Sequence, residues 1–402
     1  MTISTTAEPS RRAIYSTYTV GLFANGLTDL LLVAVPLWAL SLGVSPTQIG
    51  IIVGVRHVLP MLFAIHGGVM MDRLGTGRVL GVMAAASVAM VPLYPLMPWF
   101  PALLALQLLT GLTTNLSWSG AQTLMAQLTK GDATQLGRFT SASRIGTFSA
   151  PILVGVMWDW GGPWAAFAFG GVWAVGLGLA VMAAPHLAPA RSGPPAALGN
   201  LMPKLSDYIE TFSLLAIPAV ALAVAVTLIR HTTSAIQSSF YVVYLSDIGL
   251  TGTAIGSLIA VVEVSSAFGS LASGRAVRLM APHWLTLALT VVAIALIAIT
   301  PLLGSIVAVL AVAQGLRGAT QGVIQPVLFS SISKAVGPDV QGGAIGLRTT
   351  ANRIGAIATP MVMGVIADGA GIVESFYYVG AGLIAMLAVL AFIVRRTRAF
   401  AP

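Results

Sequence analysis

Cysteine is absent from this sequence, and charge is scarce. Without cysteine there is no disulfide framework and no thiolate metal site. Charged residues make up 8% of the 402 and hydrophobic residues 57%, whereas ordinary soluble domains are roughly 25% charged. Such a chain cannot coat a water-facing surface with polar groups, so the bilayer is its expected solvent. The short alternating segments of a β-barrel are missing too. The opening MTISTTAEPSRR is polar and lacks an apolar stretch with a small-residue cleavage site, so no signal peptide is expected. The five histidines (57, 66, 186, 231 and 283) are scattered, and no metal cluster, nucleophile motif or phosphate loop accompanies them. The sequence therefore predicts neither an enzyme nor a cofactor.

What is present is apolar sequence in long runs. A helix needs about 20 such residues to cross the hydrocarbon core. Divided at Gly, Pro and charge, the chain predicts twelve spans, at about 15–41, 48–71, 78–97, 101–127, 138–158, 164–184, 216–245, 253–275, 283–302, 305–332, 343–366 and 375–395. Residues 185–215 interrupt the pattern with Pro, Gly and polar residues. They read as a cytoplasmic linker between an N-terminal six-helix bundle (1–184) and a C-terminal one (216–402). Within the linker, 201–212 reads either as a short interfacial amphipathic helix or as plain loop.

Charge placement tests this map. Of the 20 Lys and Arg, 15 fall at the chain ends or in every second loop, Arg73, Arg78, Lys130, Arg138, Arg275 and Arg278 among them. The intervening loops carry acids instead: Asp159, Asp247, Asp368 and Glu374. The positive-inside rule then places both termini in the cytoplasm, on a multi-pass protein of the cytoplasmic membrane. The net charge of +8 thus orients the protein and is no sign of nucleic-acid binding. Anionic membrane lipid is a secondary partner.

The halves repeat each other. SASRIGTFSAPILVGVMWD (141–159) matches TANRIGAIATPMVMGVIAD (350–368), VSPTQIGIIVGV (44–55) matches LTGTAIGSLIAV (250–261), and QLLTG (107–111) matches QGLRG (314–318). Spans 1–6 therefore correspond to spans 7–12. Parallel repeats about an axis along the membrane normal are a transporter plan, with substrate held between the halves.

At the end of span 2 stands GGVMMDRLGTGR, with Gly68, Asp72, Arg73 and Arg78. This resembles the signature of the major facilitator superfamily at its loop between spans 2 and 3. The resemblance implies an all-α fold of two pseudo-symmetric six-helix bundles and transport by alternating access. Asp72 is an anion at a helix end, which a neighbouring helix N-terminus would stabilise; in the family that partner is span 11, here starting near Gly342 and Gly343. The C-terminal equivalent, SGRAVRLM, has Arg278 where Asp72 aligns, so one half alone carries this latch. The repeated segment resembles a second family pattern, that of the proton-coupled drug and organic-anion antiporters in span 5. Here Gly137, Gly146, Pro151 and Gly155 stand for it, with Gly346, Gly355, Pro360 and Gly364 in span 11, and two of the pattern's glycines are replaced. Small residues allow close packing and proline bends a helix. A third pattern departs: Gln107 and Gln314 stand where proton-coupled members carry an arginine in span 4.

Charges inside spans are costly and mark function or mutual pairing. Arg56, Arg230, Arg317, Asp29 and Glu263 fall near mid-membrane; Arg144 and Arg353 read as gate residues two turns into their helices. Across the repeat His231 aligns with Asn25 and Glu263 with His57. Asn115 and Trp118 in span 4 and Arg317 and Gln321 in span 10 extend this polar lining at helical spacing. Arg317 or Arg230 pairing with Glu263, and Arg56 with Asp29, is the purely structural alternative. With more central arginines than acids, a small anionic substrate is expected. It would contact Arg56, His57, Asn115, Trp118, Arg230, His231, Arg317 and Gln321. Asp29 and Glu263 would carry coupling protons, unless a counter-anion couples instead. Gly68, Asp72, Arg73, Arg78, Arg144, Pro151, Arg353 and Pro360 would gate the path. Export is the expected direction and a monomer the expected state. Proton-driven drug efflux, uptake by symport, and a non-transporting sensor on the same fold stay open.

Overall fold

The computed structural model describes residues 10–130, 132–185, 212–335 and 341–397. These residues are helical with short connections, and no strand occurs among them. Most of the 185–215 linker lies outside them, as does the interfacial helix expected at 201–212.

Twelve spans can be traced. Span 1 is Arg11–Ser41, span 2 is Pro46–Val55 followed by Val58–Leu74, span 3 is Thr76–Met90 and span 4 is Phe100–Thr129. Spans 5 and 6 share one hydrogen-bonded run, Ala133–Ala183, whose backbone leaves helical geometry at Gly161 and Gly162. Gly162 has φ +61, a conformation side chains resist, and Pro163 follows it. The chain therefore reverses there. Span 7 is Pro218–Ile236, a π turn Gln237–Tyr241, and Val242–Asp247. Spans 8 to 12 are Gly252–Leu279, Pro282–Ala298, Val307–Ala335, Gln341–Ala370 and Ile372–Arg396.

Among the described residues, eight helices are long and apolar enough to cross a membrane. One of these, Thr134–Ala183, holds two spans, and Pro282–Ala298 is shorter but apolar. Spans 4 and 11 are absent from that set because polar residues interrupt them: Gln107, Thr110, Thr113, Thr114 and Asn115 in one, Arg348, Asn352 and Arg353 in the other. Their polarity faces inward, where Gln107, Thr110, Thr113 and Thr114 are buried. The exterior is the reverse: Leu271, Leu279, Phe268 and Met182 are exposed apolar side chains, as a lipid-facing surface requires.

Span 2 is not the continuous helix expected for 48–71. It breaks at Arg56–His57. Pro60 has no N–H to return to the Arg56 carbonyl four residues earlier. That carbonyl instead sits against Gly111 of span 4, where a Cβ would collide with it.

Spans 5 and 8 pack across the two halves, and so do spans 2 and 11. Both interfaces are backbone on backbone. A Cβ on Gly50 would strike the Pro360 carbonyl oxygen, and one on Gly256 the Pro151 carbonyl oxygen. Pro151 and Pro360 thus mark one level at which helices of opposite halves meet backbone to backbone, and Gly155 on Gly252 and Gly364 on Pro46 mark another.

Candidate transport site

Four short motifs meet in crossed pairs. The span 5 copy of the long repeat lies on the span 8 copy of the short one, and span 11 lies on span 2. At the far end of each pair a carboxylate caps the opposing helix. Asp159 accepts from the Gly252 N–H at 2.6 Å, the Thr253 N–H at 2.8 Å and Thr253 Oγ1 at 2.6 Å. Asp368 accepts from the Thr47 N–H at 3.0 Å and Ser45 Oγ at 3.3 Å. The first N–H groups of a helix have no intrahelical partner and carry partial positive charge. Each acid satisfies them in the other half, so the molecule is closed at this end. Removing one acid is expected to open it: in Asp159→Ala the distance between spin labels at the ends of spans 5 and 8 should lengthen or broaden. An unchanged distribution would refute the latch. The sequence shows the acid at the same offset from Arg-Ile-Gly in both copies but assigns it no partner, because which helix end it faces is set by packing across the halves.

The arginines of that motif also cross between halves. Arg144 Nη1 lies 3.6 Å from Glu263 Oε2, with both side chains about two-fifths exposed (39% and 40%). Arg353 Nη1 lies 3.4 Å from His57 Nδ1. Both arginines are about three turns into their helices, which begin at Ala133 and Gln341; for Arg144 the difference from expectation comes from a start earlier than 138. Neither sits at a helix end. Glu263 is therefore bridged to neither Arg317 nor Arg230, and Arg56 donates from Nη2 to the Thr28 carbonyl at 3.1 Å rather than pairing with Asp29.

Two compartments lie between the halves and share His57. The larger, about 180 Å³, is lined by Asp29 and His57 from one half and by His231, Ser234, Glu263 and Gln321 from the other. The smaller, about 70 Å³, is lined by Asn25, Arg56, His57, Asn115, Trp118 and Arg353 with neighbouring Thr and Gly. Asn25 and Asp29, one helical turn apart, thus face different compartments. Trp118 stacks on Phe139 with centroids 5.8 Å apart and planes at 13°, so one face is packing and the rest is lining. Gln321 donates from Nε2 to Thr233 Oγ1 at 3.3 Å, which holds it toward span 7.

Arg230 and Arg317 line neither compartment. Arg317 is fully buried inside the C-terminal bundle. Its Nε donates to Gln314 Oε1 at 2.8 Å, Nη1 to the Thr233 carbonyl at 3.5 Å, and Nη2 to Gln237 Oε1 in the π turn. Gln314, which replaces the arginine of the family pattern, thus holds an arginine one turn further on. Arg230 is buried and its Nε has no hydrogen-bond partner. Arg73 and Arg78 flank the turn between spans 2 and 3. The side chains of Gly68 and Asp72 lie outside the described residues, as do those of 341–346, and with them the expected latch between Asp72 and the start of span 11.

The family model of the major facilitator superfamily matches this chain twice, over 17–229 and 222–401. The chain belongs to the major facilitator superfamily. It is a multi-pass membrane transporter of the secondary type, and the double match is the two-bundle repeat seen in the fold. Solved structures of superfamily transporters are similar to it throughout. The nucleoside transporter NupG superposes with a TM-score of 0.77 at 11% identity, covering 94% of this chain and 98% of that one. A bacterial homologue of the human lysosomal transporter Spinster, inward-facing and unoccupied, gives 0.74 at 13% identity, covering 95% of each chain. A POT family transporter in complex with 5-aminolevulinic acid gives 0.71 at 13% identity, covering 98% and 99%. At such identities the likeness establishes the superfamily fold alone. No curated protein matches the sequence.

Proposed function

We propose that this transporter moves a small organic anion across the cytoplasmic membrane by alternating access, coupled to protons or to a counter-anion, with export as its direction. The observation that carries the reading is the make-up of the smaller compartment: Arg56 and Arg353 with His57, Asn115 and Trp118, and no carboxylate among its lining residues. Two cations in a recess between the halves without a resident acid favour an anionic guest. Asp29 and Glu263 stand in the other compartment, where a proton is the ligand their chemistry suits. The basic loops orient both termini to the cytoplasm, which makes the end closed by Asp159 and Asp368 the outer one. Residues 1–184 and 216–402 form the two moving bundles of a monomer, and 185–215 tether them.

The test is transport in proteoliposomes with a panel of labelled carboxylates. Arg56→Gln removes a charged donor, a loss of about 1.5–3 kcal/mol for hydrogen bonds of this kind, or roughly 10- to 150-fold in anion affinity. Asp29→Asn should abolish accumulation against a gradient while leaving downhill exchange. Unchanged anion affinity in Arg56→Gln would overturn the substrate class, and pH-dependent accumulation by Asp29→Asn would overturn its coupling role.

A further inference from the structure

The repeat provides an internal comparison. Arg144 and Arg353 are equivalent residues of the matched segments, and so are Glu263 and His57. Each arginine reaches the residue its symmetry mate reaches, in the opposite half. The difference is chemical. Arg144 meets a carboxylate, with charge opposed to charge. Arg353 meets an imidazole nitrogen at 3.4 Å, and an imidazole brings no negative charge. Arg56 lines the same compartment as this imidazole and adds a positive charge of its own. Asp29, the carboxylate of span 1, lines only the larger compartment. One of two equivalent bridges is therefore complete and the other lacks its anion, and the gap opens on the smaller compartment.

We propose that Arg353 and His57 form an oxyanion clasp, in which the substrate's own carboxylate takes beside Arg353 the place that Glu263 takes beside Arg144. The inference rests on the anion reading above and narrows it. A carboxylate suits the guanidinium fork, which binds its two oxygens side by side. The compartment of about 70 Å³ admits such a head group, and the remainder of the substrate extends past His57 into the larger space. Trp118 and Asn115 border the head group, and Arg56 adds a second cation. Substrate binding then completes a second bridge between the halves, and this ties occupancy to their relative position. Glu263 and Arg144 are the built-in counterpart of the bond that the substrate makes and breaks.

The substitution that tests this is His57→Glu, which builds the missing carboxylate into the protein. The purified full chain in detergent is melted with acetate and benzoate, with acetamide and benzamide as neutral controls, and with inorganic phosphate. The wild type is expected to melt a few degrees higher with the carboxylates and unchanged with the amides. His57→Glu should melt higher than wild type without any ligand and lose the carboxylate response. Arg353→Gln should lose the response without the gain, and it serves if His57→Glu does not fold. A carboxylate response retained in both variants would overturn the clasp and leave the anion reading standing. A response to phosphate alone would overturn the clasp in the same way. No response to any anion would overturn both.

Discussion

Gly256→Val is expected to cut transport sharply in a protein that still folds. The Cβ it adds would collide with the Pro151 carbonyl oxygen, and its neighbours there are backbone atoms of Pro151 and Ile152. Backbone cannot swing aside as a side-chain tip can, so spans 5 and 8 must separate. Overpacking of this kind costs about 1–3 kcal/mol. Charged against the closed state alone, that converts to roughly 5- to 150-fold in its population. The latch of Asp159 on Gly252 and Thr253 sits just beyond and would part with it. The expected result is a marked fall in exchange across proteoliposome membranes, with labels at the ends of spans 5 and 8 reporting an opened gap. Gly50→Val should act alike through span 11, since its Cβ would meet the Pro360 carbonyl oxygen. Gly178 has open space around its Cβ position, so Gly178→Val is the control. Wild-type exchange by Gly256→Val would show that these backbones never need to meet during the cycle.

Arg317→Ala is expected to lower stability by about 2–4 kcal/mol without changing the anion affinity of the protein that remains folded. Leaving a buried acceptor unsatisfied costs about 1–3 kcal/mol, and this change strands Gln314 Oε1 and Gln237 Oε1 together. The π turn that presents Gln237 would lose its contact with span 10. Arg317→Lys keeps the charge but not the three-way donor geometry, so it should recover only part of the loss. The measurement is thermal melting of purified protein beside substrate affinity. A large affinity loss with unaltered melting would place Arg317 in the substrate path after all.

Much of this was legible before any coordinates. Twelve apolar runs, the alternation of basic loops and the matched segments specify two six-helix bundles, because span length and charge bias are read directly from residue order. Equating positions across the repeat paired His57 with Glu263, and both line one cavity; it also paired Asn25 with His231, and these lie in different compartments. What residue order cannot give is rotation. Arg317 and Gln321 are four apart on one helix, yet one is sealed inside the bundle and the other borders the cavity. Depth also differs from expectation for both gate arginines: span 5 starts five residues earlier than 138, and Arg353 is nearly three turns deep even when counted from 343. The break at Arg56–His57 did have a signal, Pro60 four residues on, but proline is common enough in membrane helices that it forces no break by itself.

The crossed contacts at the closed end have one more consequence. Each joins a surface of one half to the complementary surface of the other, and both surfaces occur in both halves. This is the self-complementary, isologous contact by which two identical subunits form a two-fold dimer. A single six-helix ancestor carrying both patches would close the same end by pairing with a copy of itself, with every glycine, proline and aspartate used twice. Joining the copies in one chain released the two sites from identity. At the closed end the pairs remain alike, while three turns deeper one arginine faces Glu263 and the other faces His57. An obligate homodimer could not hold that difference in any one assembly.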